Sequence, residues 1–247
     1  MTRLILVRHC TTICNEGGVL SGLTDSKLSE KGKLQANKLT EFLKNEKIDK
    51  IYTTPFSRTK ETVKNLAKIK NIQIEESDLL NEINFGDFEG LSFKKIEKDY
   101  PKEFEKMIKE GFEYKYPNGE SLIDTFHRIK NQIDIILEQN KNKSILICSH
   151  GGTIRNIISY LLCNDYKYHW NFRVDNGSIT EIEVNNLITL GNWLLDVSNL
   201  DQVNIYLFIK LKSINNEEFL NWWNENNFKI KIEESNFETL LKVKEVF

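Results

Sequence analysis

Two histidines in this sequence each follow a short run of apolar residues. His9 follows the run at 4–7 with one residue between them, and His150 follows the run ILIC at 145–148, again with one residue between. Apolar runs of this length are typical of buried parallel strands. Ligands of open α/β sheets bind outside the carboxyl ends of the strands. We therefore expect both imidazoles to face one pocket, as nucleophile, acid–base group or metal ligand.

The residues next to these histidines favour an anion as the ligand. Arg8 carries a planar fork of donors that suits phosphate, and Gly151-Gly152 precedes a predicted helix, whose first N–H groups favour an anion. Each feature alone also has a structural explanation, since a histidine near a core is usually hydrogen-bonded, an arginine can form a surface ion pair, and SHGG can be a turn. Only the whole set points to a phosphate site.

The elements that must position these residues alternate between strands and helices. Hydrophobic periodicity and capping residues predict strands over 4–7, 48–53, 72–74, 144–148, 178–184 and 187–197, the last two as a closing hairpin. They predict helices over 29–43, 57–69, 120–138 and 153–162, with Ser57 as a cap. In the first helix the predicted apolar stripe is Leu34, Leu39, Phe42 and Leu43.

This alternation predicts a three-layer α/β/α fold with a mostly parallel central sheet. The charged stretch 93–116 is interpreted as an insertion that carries helices. After residue 198 the pattern changes to a strand over 203–211 and a helix over 217–226. We therefore divide the chain into a catalytic domain, 1–198, and a small α+β extension, 199–247, whose role the sequence does not reveal. Trp222 and Trp223 in that extension are interpreted as packing residues.

Composition excludes several classes of partner. The 247 residues are 40% hydrophobic and 28% charged, with a net charge of −2, which argues against a nucleic-acid-binding face. The apolar runs are too short for a signal peptide or a membrane span. The four cysteines form no CxxC pair, so no zinc or redox motif is indicated. We expect a cytoplasmic protein with reduced thiols and a small-molecule ligand, and the sequence leaves open whether it forms a homodimer.

Six motifs together resemble the histidine phosphatase (phosphoglycerate mutase-like) superfamily over residues 1–198. LVRHCTTICN (6–15) resembles the family signature Leu-Val-Arg-His-Gly-x-Thr-x-x-Asn. The other five occur in the family's order: LSEKGKLQA (28–36), IYTTPFSRTKETV (51–63), LLNEINFGDFEG (79–90), PNGESL (117–122) and ILICSHGGTIR (145–155). The resemblance implies a phosphoglycerate mutase-like fold and a phosphatase that needs neither metal nor cofactor.

The resemblance also implies three catalytic residues. His9 matches the nucleophile, a neutral imidazole that becomes phosphohistidine. His150 matches the second histidine, whose charge stabilises the transition state. Glu82 matches the general acid that protonates the leaving alkoxide and then activates water. Without the flanking NFGDFEG, Glu82 would be interpreted as an exposed loop carboxylate.

Four further residues match phosphate ligands of the family: Arg8, Asn15, Arg58 and Gly151. One position departs from the signature, because Cys10 replaces the glycine that usually follows the nucleophile. Glycine there leaves room near the phosphate. We expect the Cys10 side chain to pack as a small hydrophobe; the alternative is that it crowds the pocket or makes it redox-sensitive.

The strings at 17–32, 80–90 and 169–183 are similar to those of the α-ribazole phosphatases within the superfamily. This implies α-ribazole 5′-phosphate of cobalamin biosynthesis, or a similar small phosphomonoester, as the substrate. A broad-specificity phosphatase and a phosphoglycerate mutase remain alternatives, although the lysines of 91–116 are mixed with glutamates as on a solvated helix. A phosphate-binding regulatory protein and a metal hydrolase are alternatives of other classes.

Overall fold

In the computed structural model, which describes residues 2–184, 189–196, 204–207 and 243–244, the strands form one sheet. They are β1 (Thr2–Arg8), β2 (Lys50–Thr53), β3 (Ile74–Glu76), β4 (Ser144–Ser149), β5 (Ile179–Val184), β6 (Thr189–Asp196), β7 (Asn204–Leu207) and β8 (Val243–Lys244). The sheet order is β3-β2-β4-β1-β5-β6-β7-β8. The block β3-β2-β4-β1 is parallel, and the pairings from β1–β5 onward are antiparallel.

The central pair of strands brings the two histidines to one edge. Strands β1 and β4 pair in parallel with Arg8 opposite Ser149. His9 and His150 each follow the last residue of their strand, so the chain delivers both imidazoles at the same level. The sequence-based expectation about the carboxyl ends of these strands is confirmed.

Helices cover both faces of the sheet. Their bounds are α1 (Ile13–Gly17), α2 (Glu30–Leu43), α3 (Ser57–Lys70), α4 (Phe93–Asp99), α5 (Pro101–Glu110), α6 (Leu122–Gln139) and α7 (Gly151–Ile158). Successive strand side chains point to opposite faces. Leu4 and Leu6 pack in a cluster with the apolar stripes of α6 and α7, whereas Ile5 and Val7 pack with those of α2 and α3. The α/β/α layering predicted from the sequence is confirmed.

The buried face of α2 differs from the predicted stripe. Leu39 and Leu43 are buried, but Leu34 and Phe42 are each 55% exposed. Gly32 takes part in the buried face instead, because a Cβ there would lie 2.0 Å from the carbonyl oxygen of Thr11. The helix therefore packs closely on backbone that precedes α1, and a small residue is needed at the contact.

Other predicted bounds shift by a few residues. Ser57 is the first residue of α3 rather than its cap, and its N–H and hydroxyl donate to the Asp25 carboxylate. The strand expected at 72–74 is β3, two residues later, and the helix expected from 153 begins at Gly151. A π-helical turn, Ser159–Cys163, extends α7. The hairpin of β5 and β6 is confirmed.

The proposed extension lies almost wholly outside the described residues, including the helix expected at 217–226 with Trp222 and Trp223. Only β7 and β8 belong to it in the described part of the chain. The four cysteines are free. None of the helices described here combines the length and apolar character required to traverse a lipid bilayer.

Candidate active site

His9 has one ring nitrogen available for chemistry. Its side chain is buried, and its Nδ1 is 2.8 Å from the carbonyl oxygen of Cys10. A carbonyl can only accept, so Nδ1 carries the proton and Nε2 keeps its lone pair. Burial and the positive charges of Arg8 and Arg58 lower the pKa of His9 well below its usual range. The ring is therefore a neutral base with a free Nε2.

The ring of His150 lies edge-on to that of His9, with the ring centroids 5.2 Å apart. A chain of hydroxyl groups sets its tautomer. The Thr59 hydroxyl donates to backbone carbonyls, so Thr54 donates to Thr59 in their 2.9 Å contact. The Thr54 hydroxyl then accepts from the Nε2–H of His150 at 3.1 Å. The Nδ1 lone pair of His150 in turn accepts from the Nε of Arg58 at 3.2 Å.

This geometry modifies one expectation about His150. The resemblance implied a charged imidazole, but burial and the charges of Arg58, His9 and Arg8 lower the pKa of His150 well below 6.5. In the structure its Nδ1 accepts a hydrogen bond, as only an unprotonated nitrogen can. A bound dianion would oppose those positive charges and favour protonation. We therefore expect the charge of His150 to depend on whether an anion is bound.

Arg58 is a buried cation between His150 and the loop at residues 21–24. Its side chain is 1% exposed, and this burial lowers its pKa. The negative charges of Glu82, Asp25 and Glu89 oppose that effect. Its Nη1 donates to the carbonyl of Thr24 at 2.7 Å. The guanidinium also stacks on Phe56, 4.4 Å from the ring centroid. These contacts hold a permanent positive charge beside both imidazoles.

Arg8 and Asn15 each have a polar group left over for a ligand. The Nη1 of Arg8 donates to the carbonyl of Val174 at 2.7 Å, while its buried Nε has no hydrogen-bond partner. The Oδ1 of Asn15 accepts from the Thr12 N–H and from the Nδ2 of Asn176. Since its oxygen is occupied, Asn15 offers its Nδ2 as a donor. An oxyanion is the ligand that these donors suit.

Glu82 reaches the site from the loop after β3. Its Oε2 accepts from the backbone N–H of Gly152 at 2.9 Å, in the first turn of α7. One of the helix N–H groups expected to bind the anion is therefore engaged by the carboxylate. Gly151 lies against the guanidinium of Arg8, since a Cβ at this position would be 3.2 Å from its Cζ. The structure thus brings all seven candidate residues to one place.

Cys10 points away from the phosphate donors. Its side chain is fully buried in a small cluster with Leu28 and Ala36, and its N–H donates to the hydroxyl of Thr62. Burial raises the pKa of its thiol to about 12. A neutral thiol in an apolar cluster packs as a hydrophobe. The geometry favours the packing role that the sequence suggested over a redox role.

Sequence reasoning missed several residues that orient the site. Asn176 donates to both the carbonyl of His9 and the Oδ1 of Asn15. Thr54 fixes the tautomer of His150, and Glu89 holds the loop next to Arg58. Arg155 contributes a further charge that lowers the pKa of Arg8. All four lie within strings already similar to family motifs, and that similarity was the available signal. Within the described residues no cluster of three His, Cys, Asp or Glu side chains could hold a metal ion.

Comparisons with known proteins show the family to which the chain belongs. The model of the family "Histidine phosphatase superfamily (branch 1)" matches residues 4–189. The chain belongs to this superfamily. Phosphoserine phosphatase 1 of Hydrogenobacter thermophilus is 33% identical over 184 residues, which cover 74% of this chain and 87% of that protein.

Solved structures of the superfamily superpose on most of this chain. The α-ribazole phosphatase of Shigella flexneri has a TM-score of 0.72 at 26% identity, covering 76% of this chain and 93% of its own. A phosphoserine phosphatase mutant of Entamoeba histolytica, in complex with phosphoserine, has a TM-score of 0.69 at 28% identity, covering 78% and 96%. The fold is that of the phosphoglycerate mutase-like phosphatases, and this member of the superfamily is a phosphatase.

Proposed function

We propose that this superfamily member hydrolyses small phosphomonoesters through a phosphohistidine at His9. The observation that carries the proposal is the Nε2 lone pair of His9, which the Nδ1–Cys10 hydrogen bond leaves free and which two nearby arginines keep unprotonated. Phosphoryl transfer needs in-line positioning and positive charge around the phosphoryl oxygens. Arg8 and Arg58 supply permanent charge, and the Nδ2 of Asn15 supplies a further donor.

The reaction proceeds in two displacements. In the first, the Nε2 of His9 forms a bond to phosphorus while the ester P–O bond breaks, and Glu82 in its protonated form gives its proton to the leaving alkoxide. In the second, Glu82 takes a proton from water, whose oxygen attacks phosphorus and releases inorganic phosphate and free His9. Protonation of His150 at Nδ1, which would replace the hydrogen bond that this atom accepts from the Nε of Arg58, adds positive charge beside the phosphoryl group when the dianion is present.

For the substrate, we propose a small phosphorylated amino or hydroxy acid such as phosphoserine. Arg155 is the supporting feature: burial lowers its pKa, and the charges of Glu82 and Asp175 oppose that effect. Its Nε donates to the carbonyl of Phe172, and no carboxylate lies within ion-pair distance in the described part of the chain. An arginine of this kind suits a carboxylate on the substrate. The similarity to phosphoserine phosphatases supports the same choice.

The second candidate is the α-ribazole 5′-phosphate phosphatase indicated by the sequence motifs. It is supported by the similarity to the Shigella enzyme and by Trp170, which is 63% exposed and lies over the guanidinium of Arg155 at 5.3 Å. An exposed indole can stack on an aromatic base. A phosphoglycerate mutase would instead retain the phosphoryl group and pass it to a second molecule.

A substrate panel tests both proposals. Wild type and the variant Arg155→Met are assayed with phosphoserine, 3-phosphoglycerate, α-ribazole 5′-phosphate and p-nitrophenyl phosphate, each with EDTA. We expect turnover that EDTA leaves unchanged, and a kcat/KM for phosphoserine that falls about 100-fold in the variant while that for p-nitrophenyl phosphate changes little. Preference for α-ribazole 5′-phosphate, unaffected by the variant, would favour the second candidate. Loss of activity with EDTA would contradict the metal-independent mechanism.

A further inference from the structure

The carboxylate of Glu89, which is outside the catalytic set, accepts hydrogen bonds from the backbone of a loop that is distant in the sequence. The Oε atoms of Glu89 accept hydrogen bonds from the N–H groups of Gly22, Leu23, Thr24 and Phe85 at 3.0–3.2 Å. Three of these donors belong to consecutive residues that are 65 to 67 positions away in the chain. Hydrogen bonds to an ionised acceptor are roughly twice as strong as neutral ones. Glu89 thus fixes the 21–24 loop, which comprises residues Ser21 to Thr24.

The sequence of the loop fits this close approach. A Cβ at Gly22 would lie 1.9 Å from the carbonyl oxygen of Ile83 and 2.6 Å from the Oε1 of Glu89. Any larger residue at position 22 would push the loop away from the segment that carries Glu82 and Glu89. Glycine is therefore required where the loop meets Glu89.

The opposite side of the same loop holds Arg58. Its Nη2 donates to the carbonyl of Gly22 at 2.6 Å, and its Nη1 donates to the carbonyl of Thr24. The peptide unit between Gly22 and Leu23 has its C=O on Arg58 and its N–H on Glu89. This peptide dipole lies between a buried cation and an anion, each of which polarises it favourably.

Arg58 connects the loop to the reacting groups, because the same guanidinium contacts both the loop and His150. With its Nη atoms tied to the loop, its Nε points to the Nδ1 of His150. We infer that Glu89 is a positioning residue of the phosphatase reaction, which acts through the 21–24 loop to hold Arg58 beside the phosphoryl group. The inference rests on the proposed function for its kinetic consequences, and only on the contacts above for its geometry.

The variant Glu89→Gln keeps the size of the side chain but removes its charge and places an NH₂ group among N–H donors. We expect the loop to shift and Arg58 to lose its anchors, which lowers kcat/KM for p-nitrophenyl phosphate by about 10- to 100-fold, since a misplacement of about 1 Å can cost 100-fold. Glu89→Asp retains the carboxylate and should recover part of the activity. Asp87→Asn is the matched control, because Asp87 is exposed in the same turn and its side chain contacts Asn118.

A double-mutant cycle separates positioning from general stability. Glu89→Gln is measured in wild type and in Arg58→Ala, together with the melting temperature of every variant. We expect the effect of Glu89→Gln to shrink to within about twofold once Arg58 is absent. Equal losses in both backgrounds would overturn the inference, as would full activity of Glu89→Gln. If Glu89→Gln fails to fold, Glu89→Asp is carried through the same cycle, with the same two outcomes.

The affinity for inorganic phosphate, measured by calorimetry, tests the positioning role of Glu89 without relying on turnover. A wild-type protein that cleaves no phosphomonoester would refute the proposed function. The positioning role would still predict weaker phosphate binding in Glu89→Gln, and no further weakening when Arg58→Ala is already present. Unchanged phosphate affinity in Glu89→Gln would refute the positioning role alone.

Discussion

A single methyl group added at Gly152 should displace the catalytic carboxylate while leaving the fold intact. A Cβ at this position would lie 2.4 Å from the Oε1 of Glu82 and 3.2 Å from its Cδ. Ordinary contact begins near 3.4 Å, so the carboxylate must retreat by about 1 Å. The carboxylate is the far end of a flexible side chain, and the backbone need not move. Gly152→Ala thus tests whether the reaction requires the carboxylate of Glu82 at its observed position.

The expected cost follows from the role of Glu82 as a general acid. Acid–base assistance is worth about 10²–10⁴-fold, and a displacement of about 1 Å removes much of it. We expect kcat/KM for an alkyl phosphate such as phosphoserine to fall about 100-fold. For p-nitrophenyl phosphate, whose leaving group needs little protonation, the fall should stay within about fivefold.

The assay compares both substrates in Gly152→Ala, Glu82→Gln and the double variant. Combining the two changes should cost no more than Glu82→Gln alone, because both remove the same proton donor. Gly17→Ala is the matched control, since it also lies in a helix and its Cβ would meet no atom within 4 Å. Alanine is a better helix former than glycine, so the melting temperature should not drop. Equal losses on both substrates would refute the role given to Glu82.

Three further results follow from the protonation states of buried groups. Binding of inorganic phosphate near pH 7 should be accompanied by the uptake of a proton at His150, which makes the calorimetric binding enthalpy depend on the buffer. Thr54→Val, which removes the hydroxyl that accepts from the Nε2–H of His150, should reduce this proton uptake. Phosphate binding without proton uptake would contradict the ligand-dependent charge. Peroxide should leave activity unchanged, because the thiol of Cys10 is buried and its pKa is raised; an inactivation that Cys10→Ala prevents would contradict this. Burial lowers the pKa of His169 to about 3, so the unfolded chain binds a proton first and stability is lost as pH falls below about 6.5. The free energy of unfolding, measured with urea at several pH values, should therefore change with pH less steeply in His169→Gln than in wild type, by up to about 1.4 kcal/mol per pH unit. An identical pH dependence in the two proteins would contradict the assignment.

The parts of the site that could be predicted were those encoded by local sequence. His9 and His150 follow apolar runs, and such runs form adjacent parallel strands, so their convergence required no distant information. The resemblance then placed Arg58 and Glu82 beside them. These segments carry their chemistry within a few residues of a strand end, where the sequence pattern is clearest.

The parts that could not be predicted depend on backbone contacts between distant segments. Nothing in the composition near Glu89 indicates that its carboxylate binds the N–H groups of Gly22 and Leu23. The face of α2 was predicted wrongly for a related reason. Leu34 fits an apolar periodicity, yet Gly32 faces the core because the helix packs on the Thr11 backbone. Periodicity counts apolar side chains and does not register close contacts between backbones.

The net charge of the chain also gave little information about the pocket. At −2 overall, the protein still places the charges of Arg8 and Arg58 close to His9, and the charge of Arg155 lowers the pKa of Arg8. Local potential depends on which charges the fold collects in a cleft, and not on their sum over the surface.

The most direct test of the account is to capture the phosphorylated enzyme. Wild type and His9→Ala are mixed rapidly with p-nitrophenyl phosphate, quenched with alkali, and digested for mass spectrometry. We predict a phosphate that is stable to base, labile to acid, located on His9, and absent from the variant, which should also lose turnover. A phosphate on another residue, or undiminished turnover by His9→Ala, would contradict the mechanism.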